Sequence, residues 1–196
     1  FWVSYPEMVK IADGTPVIIY SDIESDFKIT PEQLEAAITP KTKVIMLCSP
    51  SNPTGSVYTR EELKGLADVL AKYPEIIILS DEIYEHINYL DKHVSIAEFP
   101  EVFDRTVIVN GVSKGYAMTG WRLGWIAAPK WIADACSTLQ GQYTSNPCTI
   151  AQKAAEAAYT GNQQCVADMR VAFERRKNLV VTMAREIPGL KVNEPK

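Results

Sequence analysis

Three short runs of apolar residues constrain the fold of this chain more than any other feature of its sequence. They are Thr42–Cys48, Ile76–Leu79 and Thr106–Val109, and a polar loop follows each of them. Strands that are apolar throughout and alternate with helical segments are typical of a parallel sheet that helices cover on both faces. The sequence therefore predicts an α/β fold with three layers, α/β/α, built around a mainly parallel sheet.

A fourth apolar run, Leu123–Ala128, follows the third run after a short segment rich in glycine. That segment leaves little room for the crossover helix that parallel neighbours need, so we expect the fourth strand to run antiparallel. Two shorter β-rich stretches, Val17–Tyr20 and Gly189–Asn193, predict additional strands.

Helix-start signals lie between the apolar runs. Thr59 and Glu62 have the spacing of a capping box, and Thr30 precedes a proline at the first helical position. The longer helical patterns in the second half of the chain cover about 129–140, 149–159 and 164–186.

The composition is that of an ordinary globular protein. The 196 residues, 46% of them apolar, are enough for one core, and the length favours one domain. A net charge of −4 without a basic stripe argues against nucleic-acid binding, and the apolar runs are too short for a membrane-spanning helix. The chain opens on Phe1 rather than Met, so we expect it to be a piece of a longer protein.

Four cysteines are scattered along the chain without the spacing of a zinc site or a redox pair. We interpret them as reduced packing residues of a cytoplasmic protein. They are Cys48, Cys136, Cys148 and Cys165.

One lysine stands in a small turn directly after the third apolar run. The stretch Asn110–Gly124 reads NGVSKGYAMTGWRLG, which places Lys114 in the turn and Arg122 eight positions later. A lysine that is held at a strand end and shielded from water is a nucleophile toward carbonyl groups. An arginine offers a permanent, forked charge suited to a phosphate. The pair predicts a cofactor that forms a Schiff base and carries a phosphate.

Polar side chains at three different strand ends point to the same site. Asn52 follows the first run, Asp81 and Tyr84 follow the second, and Lys114 follows the third. Taken singly, each has an ordinary interpretation as a turn residue, a cap, a core tyrosine or a surface lysine. Ligands of an open α/β sheet bind beyond the carboxyl ends of its strands, so together the four predict a binding site.

Three ordered motifs carry a family resemblance: SPSNPTG at Ser49–Gly55, DEIY at Asp81–Tyr84 and SKGYAMTGWRLG at Ser113–Gly124. In this order they resemble the large domain of class I aminotransferases that depend on pyridoxal 5′-phosphate (PLP), especially the bacterial aspartate aminotransferase type. The resemblance covers essentially all 196 residues. It implies that residues 1–188 form the PLP-binding large domain, with its N-terminal part missing, and that 189–196 begin the small C-terminal domain.

The resemblance also implies a role for each strand-end residue. Lys114 binds PLP as a Schiff base and later moves a proton between the substrate α-carbon and the cofactor. Asp81 pairs with the pyridine nitrogen and keeps it protonated, so that the ring accepts electrons. Asn52 and Tyr84 donate hydrogen bonds to the phenolic oxygen of the ring.

Four further features of the site follow from the same resemblance. Trp2 stacks on the cofactor ring and, with Asn52, lies where substrate binds. Arg122 binds the phosphate, and the peptide bond between Asn52 and Pro53 is cis. The family often has a phosphate-binding Ser or Thr three residues before the lysine, where this chain has Gly111, and Ser113 is the candidate replacement.

The implied reaction is transamination between an L-amino acid, aspartate, and a 2-oxo acid, 2-oxoglutarate, in a homodimer. The segment Gln140–Asn146 is expected to be a loop near the dimer interface. The family's glycine-rich phosphate turn and its carboxylate-binding arginine are not found in this sequence. We therefore expect the 196-residue chain to hold PLP weakly at most and not to transaminate by itself.

Other functions remain open at this level. Another PLP enzyme of the same fold, such as a C–S lyase or a different transaminase, would use the same lysine machinery. The sequence Gly111–Gly115 also matches G-x-S-x-G, the nucleophile motif of α/β-hydrolases with Ser113 as the nucleophile. Both histidines, His86 and His93, precede that serine, which is the wrong order for a hydrolase. A noncatalytic interaction module would leave the convergence of polar residues unexplained.

Overall fold

A four-stranded sheet with the order β1–β2–β3–β4 organises the chain in a computed structural model that describes residues 1–90 and 92–196. The strands are β1 (Val44–Cys48), β2 (Ile77–Asp81), β3 (Thr106–Gly111) and β4 (Gly124–Ala127). The pairs β1–β2 and β2–β3 are parallel, and β3–β4 is antiparallel. The predicted α/β class, the mainly parallel sheet and the antiparallel fourth strand are confirmed.

Sequence-encoded caps start two of the helices. Thr30 and Thr59 each form a capping box. In each box the threonine hydroxyl accepts the backbone N–H of the third helical residue, and the side chain of that residue accepts the backbone N–H of the threonine. Both capping signals were visible in the sequence. The helices are α1 (Tyr5–Ile11), α2 (Pro31–Ala37), α3 (Arg60–Ala71), α4 (Pro100–Phe103), α5 (Lys130–Tyr143), α6 (Thr149–Thr160) and α7 (Gln164–Arg185).

The core lies between one face of the sheet and helices α2 to α4. Leu66 and Leu70 of α3 are fully buried there and belong to the same cluster as Leu47 of β1 and Ile78 of β2. Residues on the opposite face of the same strands, such as Leu79, are only half-buried, and α5 buries none of its residues. The face packed by α2 to α4 therefore contributes most of the hydrophobic stabilisation of this chain.

Three local predictions are wrong. Val17–Tyr20 and Gly189–Asn193 form no strand, because neither stretch has a pairing neighbour among the described residues and β propensity depends on such context. The expected loop at Gln140–Asn146 is shorter than predicted. Helix α5 continues through Gly141 to Tyr143 and ends before Ser145, whose φ is 64°.

All four cysteines are free, as predicted, but only Cys48 has the predicted packing role. It is half-buried beside the sheet, and burial raises the pKa of its thiol. The other three, Cys136, Cys148 and Cys165, are exposed. None of the helices in the described part of the chain is both long and apolar enough to span a bilayer.

Replacing Thr59 by alanine should lower the free energy of unfolding of the chain by about 1 kcal/mol. The substitution removes the hydroxyl that accepts the Glu62 N–H at 3.2 Å and leaves that donor without a protein partner. Urea unfolding followed by circular dichroism measures the change. Thr182→Ala, at an exposed position inside α7, is the matched control and should change stability by less than about 0.5 kcal/mol. Equal effects of the two substitutions would contradict a capping contribution.

Candidate active site

The loop after β1 carries Asn52 to the carboxyl edge of the sheet. It contains cis peptide bonds at Ser49–Pro50 and Asn52–Pro53, the second of which was predicted. Gly55 adopts a φ of +70°, which side-chain-bearing residues rarely tolerate. The Asn52 side-chain amide donates a 3.3 Å hydrogen bond to the Tyr84 hydroxyl, so these two residues from neighbouring loops lie together.

Asp81 ends β2, and both of its carboxylate oxygens accept hydrogen bonds. The Tyr5 hydroxyl donates to Oδ2 at 2.5 Å, and the backbone N–H of Ile83 donates to Oδ1 at 3.1 Å. Burial, followed by the bond to Asp81, raises the pKa of Tyr5 strongly, so this phenol stays a donor throughout the physiological range. Asp81 is therefore a carboxylate of fixed orientation.

Tyr5 is a site residue that the sequence reasoning missed. It lies three residues after Trp2, at the start of α1, and the two rings meet edge to face with centroids 5.8 Å apart. Trp2 itself is exposed. Trp2 lies before α1, so helical spacing gave no signal that would have pointed to Tyr5. The contact with Asp81 spans 76 positions and could not be seen in the sequence.

A Tyr5→Phe substitution should weaken PLP binding by about tenfold, because the Asp81 carboxylate loses one of its two fixed donors. Fluorescence titration of the chain with PLP measures the affinity. Tyr20→Phe, on an exposed tyrosine, is the control and should bind like the parent chain. Identical affinity in the two variants would show that the Tyr5 hydroxyl does not contribute to holding Asp81 in place.

Lys114 lies in the turn that follows β3 and is half-buried. Its carbonyl accepts the backbone N–H of Ala117 at 3.0 Å, and Ala117 takes a φ of 54° to close the turn. The lysine Nζ lies 5.5 Å from the centroid of the Tyr84 ring. Within the described part of the chain no salt bridge involves the Lys114 side chain.

Ser113, Thr119 and Arg122 are connected through the same turn. The Thr119 hydroxyl donates to the Ser113 carbonyl at 2.8 Å, and an Arg122 guanidinium nitrogen donates to the Thr119 carbonyl at 3.0 Å. Arg122 is exposed and has a φ of 54°. Its remaining N–H groups and the Ser113 hydroxyl are suited to bind an anion such as a phosphate.

Gly111 departs from the family pattern for a structural reason. A Cβ at this position would lie 2.8 Å from the Gly124 Cα and 2.8 Å from the Leu123 carbonyl oxygen. Both are backbone atoms of the segment leading into β4, so they cannot rotate away. A serine or threonine here would push β3 and β4 apart, so position 111 cannot offer a hydroxyl to a ligand.

The donor set of this edge fits PLP chemically. It offers a carboxylate for a protonated ring nitrogen, an amide and a phenol for a phenolic oxygen, an amine for an aldehyde, and a guanidinium for a phosphate. A cavity of about 270 Å³ opens beside Asn52 and Tyr84, where Ile87, Tyr89 and Pro195 also line it. Its lining includes Asn52 and Tyr84 but neither Asp81 nor Lys114, so this cavity reaches one side of the candidate site.

The geometry disfavours the serine hydrolase. The strand–turn–helix form of that motif requires a helix to begin at Ser113. The chain instead makes an irregular turn there. Neither described histidine hydrogen-bonds to the Ser113 hydroxyl. The His93 Nε2 lies 2.9 Å from Glu82, and His86 packs on Gly115.

Glu82, next to Asp81, anchors the segment that carries Tyr84. Its buried carboxylate accepts hydrogen bonds from Ser80 at 2.8 Å and Ser95 at 2.6 Å, in addition to its contact with His93. A buried carboxylate is stable only when it is paired in this way. The arrangement joins Ser95 and Glu82 to Ser80 of β2 and was not visible in the sequence.

Comparisons with known proteins agree with this geometry. Among solved structures, an aspartate aminotransferase from Rhizobium meliloti superposes with a TM-score of 0.97 at 42% identity, covering 100% of this chain and 50% of that one. The aspartate aminotransferase from Thermus thermophilus with maleate superposes with a TM-score of 0.93 at 40% identity, covering 100% and 51%. The fold is therefore that of these proteins.

Relatives in sequence extend the comparison. An aspartate aminotransferase of Geobacillus stearothermophilus is 53% identical over 197 residues, covering 100% of this chain and 50% of the relative. An aspartate/prephenate aminotransferase of Cereibacter sphaeroides is 51% identical over 197 residues, covering 100% and 49%. The chain thus spans about half the length of these curated relatives. The family model "Aminotransferase class I and II" matches residues 1–196, and the chain belongs to that family.

Proposed function

We propose that this chain is the cofactor-binding part of a PLP-dependent aminotransferase, which exchanges the amino group between L-aspartate and 2-oxoglutarate. The observation that carries the proposal is the convergence of Asp81, Asn52, Tyr84 and Lys114 at one edge of the sheet. Names of relatives support the choice of aspartate. A lyase or another transaminase of the same fold would share these residues, and the products formed from aspartate distinguish them.

Each residue has a task that follows from its position. Asp81, oriented by Tyr5, holds the proton on the ring nitrogen, and Asn52 and Tyr84 orient the ring through its phenolic oxygen. The bound cofactor supplies a cationic ring that accepts the electrons released at the substrate α-carbon. Lys114 binds the cofactor and afterwards carries a proton on Nζ.

The remaining residues hold the two ends of the site. Arg122 and the Ser113 hydroxyl bind the phosphate, since both lie in the turn that carries Lys114. Trp2 covers the ring from the segment before α1 and, with Asn52, contacts substrate. Its edge-to-face contact with Tyr5 orients it. Residues 1–188 belong to the PLP-binding domain and 189–196 begin the next one.

We also propose that the whole protein is a cytoplasmic homodimer. Helix α5 supports an interface because it buries none of its residues and exposes Trp131, Leu139 and Tyr143. Free cysteines on this surface are compatible with a reducing compartment. Light scattering on the whole-length protein should give twice the mass of one chain, and a monomer mass would contradict the assembly.

The test of the cofactor site uses the 196-residue chain itself. Incubation with PLP should give a yellow adduct that borohydride fixes, and peptide mapping should place the label on Lys114. A fluorophosphonate should leave Ser113 unlabelled, whereas a hydrolase would react there. The whole-length protein should form glutamate from aspartate and 2-oxoglutarate, while the 196-residue chain alone should not. Label on other lysines only, or label on Ser113, would overturn the proposal.

A further inference from the structure

The turn that carries Lys114 rests on His86. A Cβ added to Gly115, the residue directly after the lysine, would lie 2.6 Å from Cδ2, 2.9 Å from Cβ and 3.0 Å from Cγ of His86. These distances are shorter than van der Waals contact. The imidazole therefore lies flush against the Gly115 backbone, and position 115 admits only glycine while His86 is present.

His86 is itself held in place from two sides. Its ring meets Tyr116 edge to face at 5.5 Å, Tyr116 meets Tyr159 of α6 at 5.1 Å, and the Tyr116 hydroxyl donates to Gln163 at 2.8 Å. Along the chain, the loop that carries His86 is joined to β2 by the buried Glu82. A side chain fixed at both ends provides a rigid support.

The same segment contacts the lysine at a second point. Tyr84, two residues before His86, has its ring 5.5 Å from the Lys114 Nζ. The segment 84–86 thus contacts the lysine turn twice. Tyr84 lies near the lysine amine, and His86 packs on the backbone of Gly115. Two contacts from one anchored segment determine where the amine lies relative to Asn52 and Asp81.

We propose that His86 is a positioning residue for Lys114: by packing on Gly115 it sets the backbone from which the lysine reaches the cofactor aldehyde. This inference rests on the proposed function, because it assumes that Lys114 is the residue that PLP modifies. His86 acts on Gly115 through its Cβ, Cγ and Cδ2 atoms, while the rest of its ring meets Tyr116 and lies 3.4 Å from Glu85.

Variants that keep or remove individual atoms of the His86 side chain test this role. His86→Ala removes Cγ and Cδ2, whereas His86→Asn keeps Cβ, Cγ and a planar atom in the place of Cδ2. Gly115→Ala adds the clashing methyl group, and His86→Gly in the same chain makes room for it, because the Cβ that His86→Ala keeps would still lie 2.9 Å from that methyl group. Each variant is titrated with PLP, reduced with borohydride and mapped for label on Lys114, and its thermal unfolding is measured without PLP.

We expect His86→Ala to weaken PLP affinity by about tenfold and His86→Asn to stay within about twofold of the parent chain, because small displacements of a reacting group are costly. Gly115→Ala should lose labelling at Lys114. Adding His86→Gly to Gly115→Ala should restore labelling, and adding His86→Asn should not. The unfolding midpoints of the two single His86 variants should agree with each other.

Three results would overturn the inference while the parent chain is labelled at Lys114. These are unchanged affinity in His86→Ala, equal losses in His86→Ala and His86→Asn, and no restoration in the double variant. Losses of affinity that follow the unfolding midpoint across all variants would likewise reduce His86 to a stabilising residue. A parent chain that takes no label at Lys114 contradicts the proposed function itself, so the two failures are distinguishable.

Discussion

A Lys114→Ala chain should form no borohydride-fixable PLP adduct at this site. The substitution removes the only amine that the turn after β3 directs toward Tyr84, 5.5 Å from the ring centroid, within the described residues. Without it, PLP retains only noncovalent contacts with the carboxylate, amide and guanidinium groups. Absorbance after reduction and mass mapping of the labelled peptides report the result. Covalent labelling should fall to the background of surface lysines.

Two further variants serve as controls. One keeps a positive charge at position 114 without the reactive amine, and the other removes a lysine at a different place. Lys114→Arg keeps a cation but cannot form a Schiff base, so it should bind PLP reversibly and take no label. Lys153→Ala removes an exposed lysine paired with Glu156 at 2.6 Å and should leave labelling at Lys114 unchanged. Full labelling of the Lys114→Ala chain elsewhere, with parental stoichiometry, would mean that the reactive amine has been assigned to the wrong residue.

An Asp81→Asn substitution in the whole-length protein should reduce the rate of transamination on the order of 10²–10³-fold. The change removes the negative charge of the side chain but keeps its size and shape. The asparagine Oδ1 can accept the Ile83 N–H, and its amide can donate to the Tyr5 hydroxyl, which reverses its role. A neutral partner no longer favours the protonated ring nitrogen, so the electron sink weakens.

The rate of glutamate formation under saturating PLP measures this effect. Asp68→Asn, on an exposed carboxylate of α3 that pairs with Lys64, is the matched control and should retain parental activity. A tenfold or smaller loss for Asp81→Asn would argue that the carboxylate orients the cofactor without maintaining its charge.

Local signals made much of this structure predictable. The capping boxes at Thr30 and Thr59 depend on residues three apart, and the parallel order follows from apolar runs separated by helices. Asn52, Asp81 and Lys114 could be selected because parallel strands all end at one edge. Sequence reasoning succeeded where a rule links neighbours in the chain or ends of the same sheet.

The features that escaped prediction are contacts between distant segments. Tyr5 reaches Asp81 across 76 positions, and His86 packs on Gly115 without any motif that joins them. The stretch Val17–Tyr20 has the composition of a strand but no neighbour to pair with in the described structure. Composition gives a tendency, while pairing and packing partners decide the outcome.

The close approach of Gly111 to the Gly124 backbone has a consequence for redesign of this site. The two residues are directly paired between β3 and β4, and Lys114 and Arg122 lie three residues after the first and two before the second. Their contact therefore fixes the spacing of the two backbone segments that lead to the lysine and the arginine. An engineer who wants a different phosphate or a longer cofactor should vary Ser113 or Thr119, because any larger residue at position 111 would alter both ends at once.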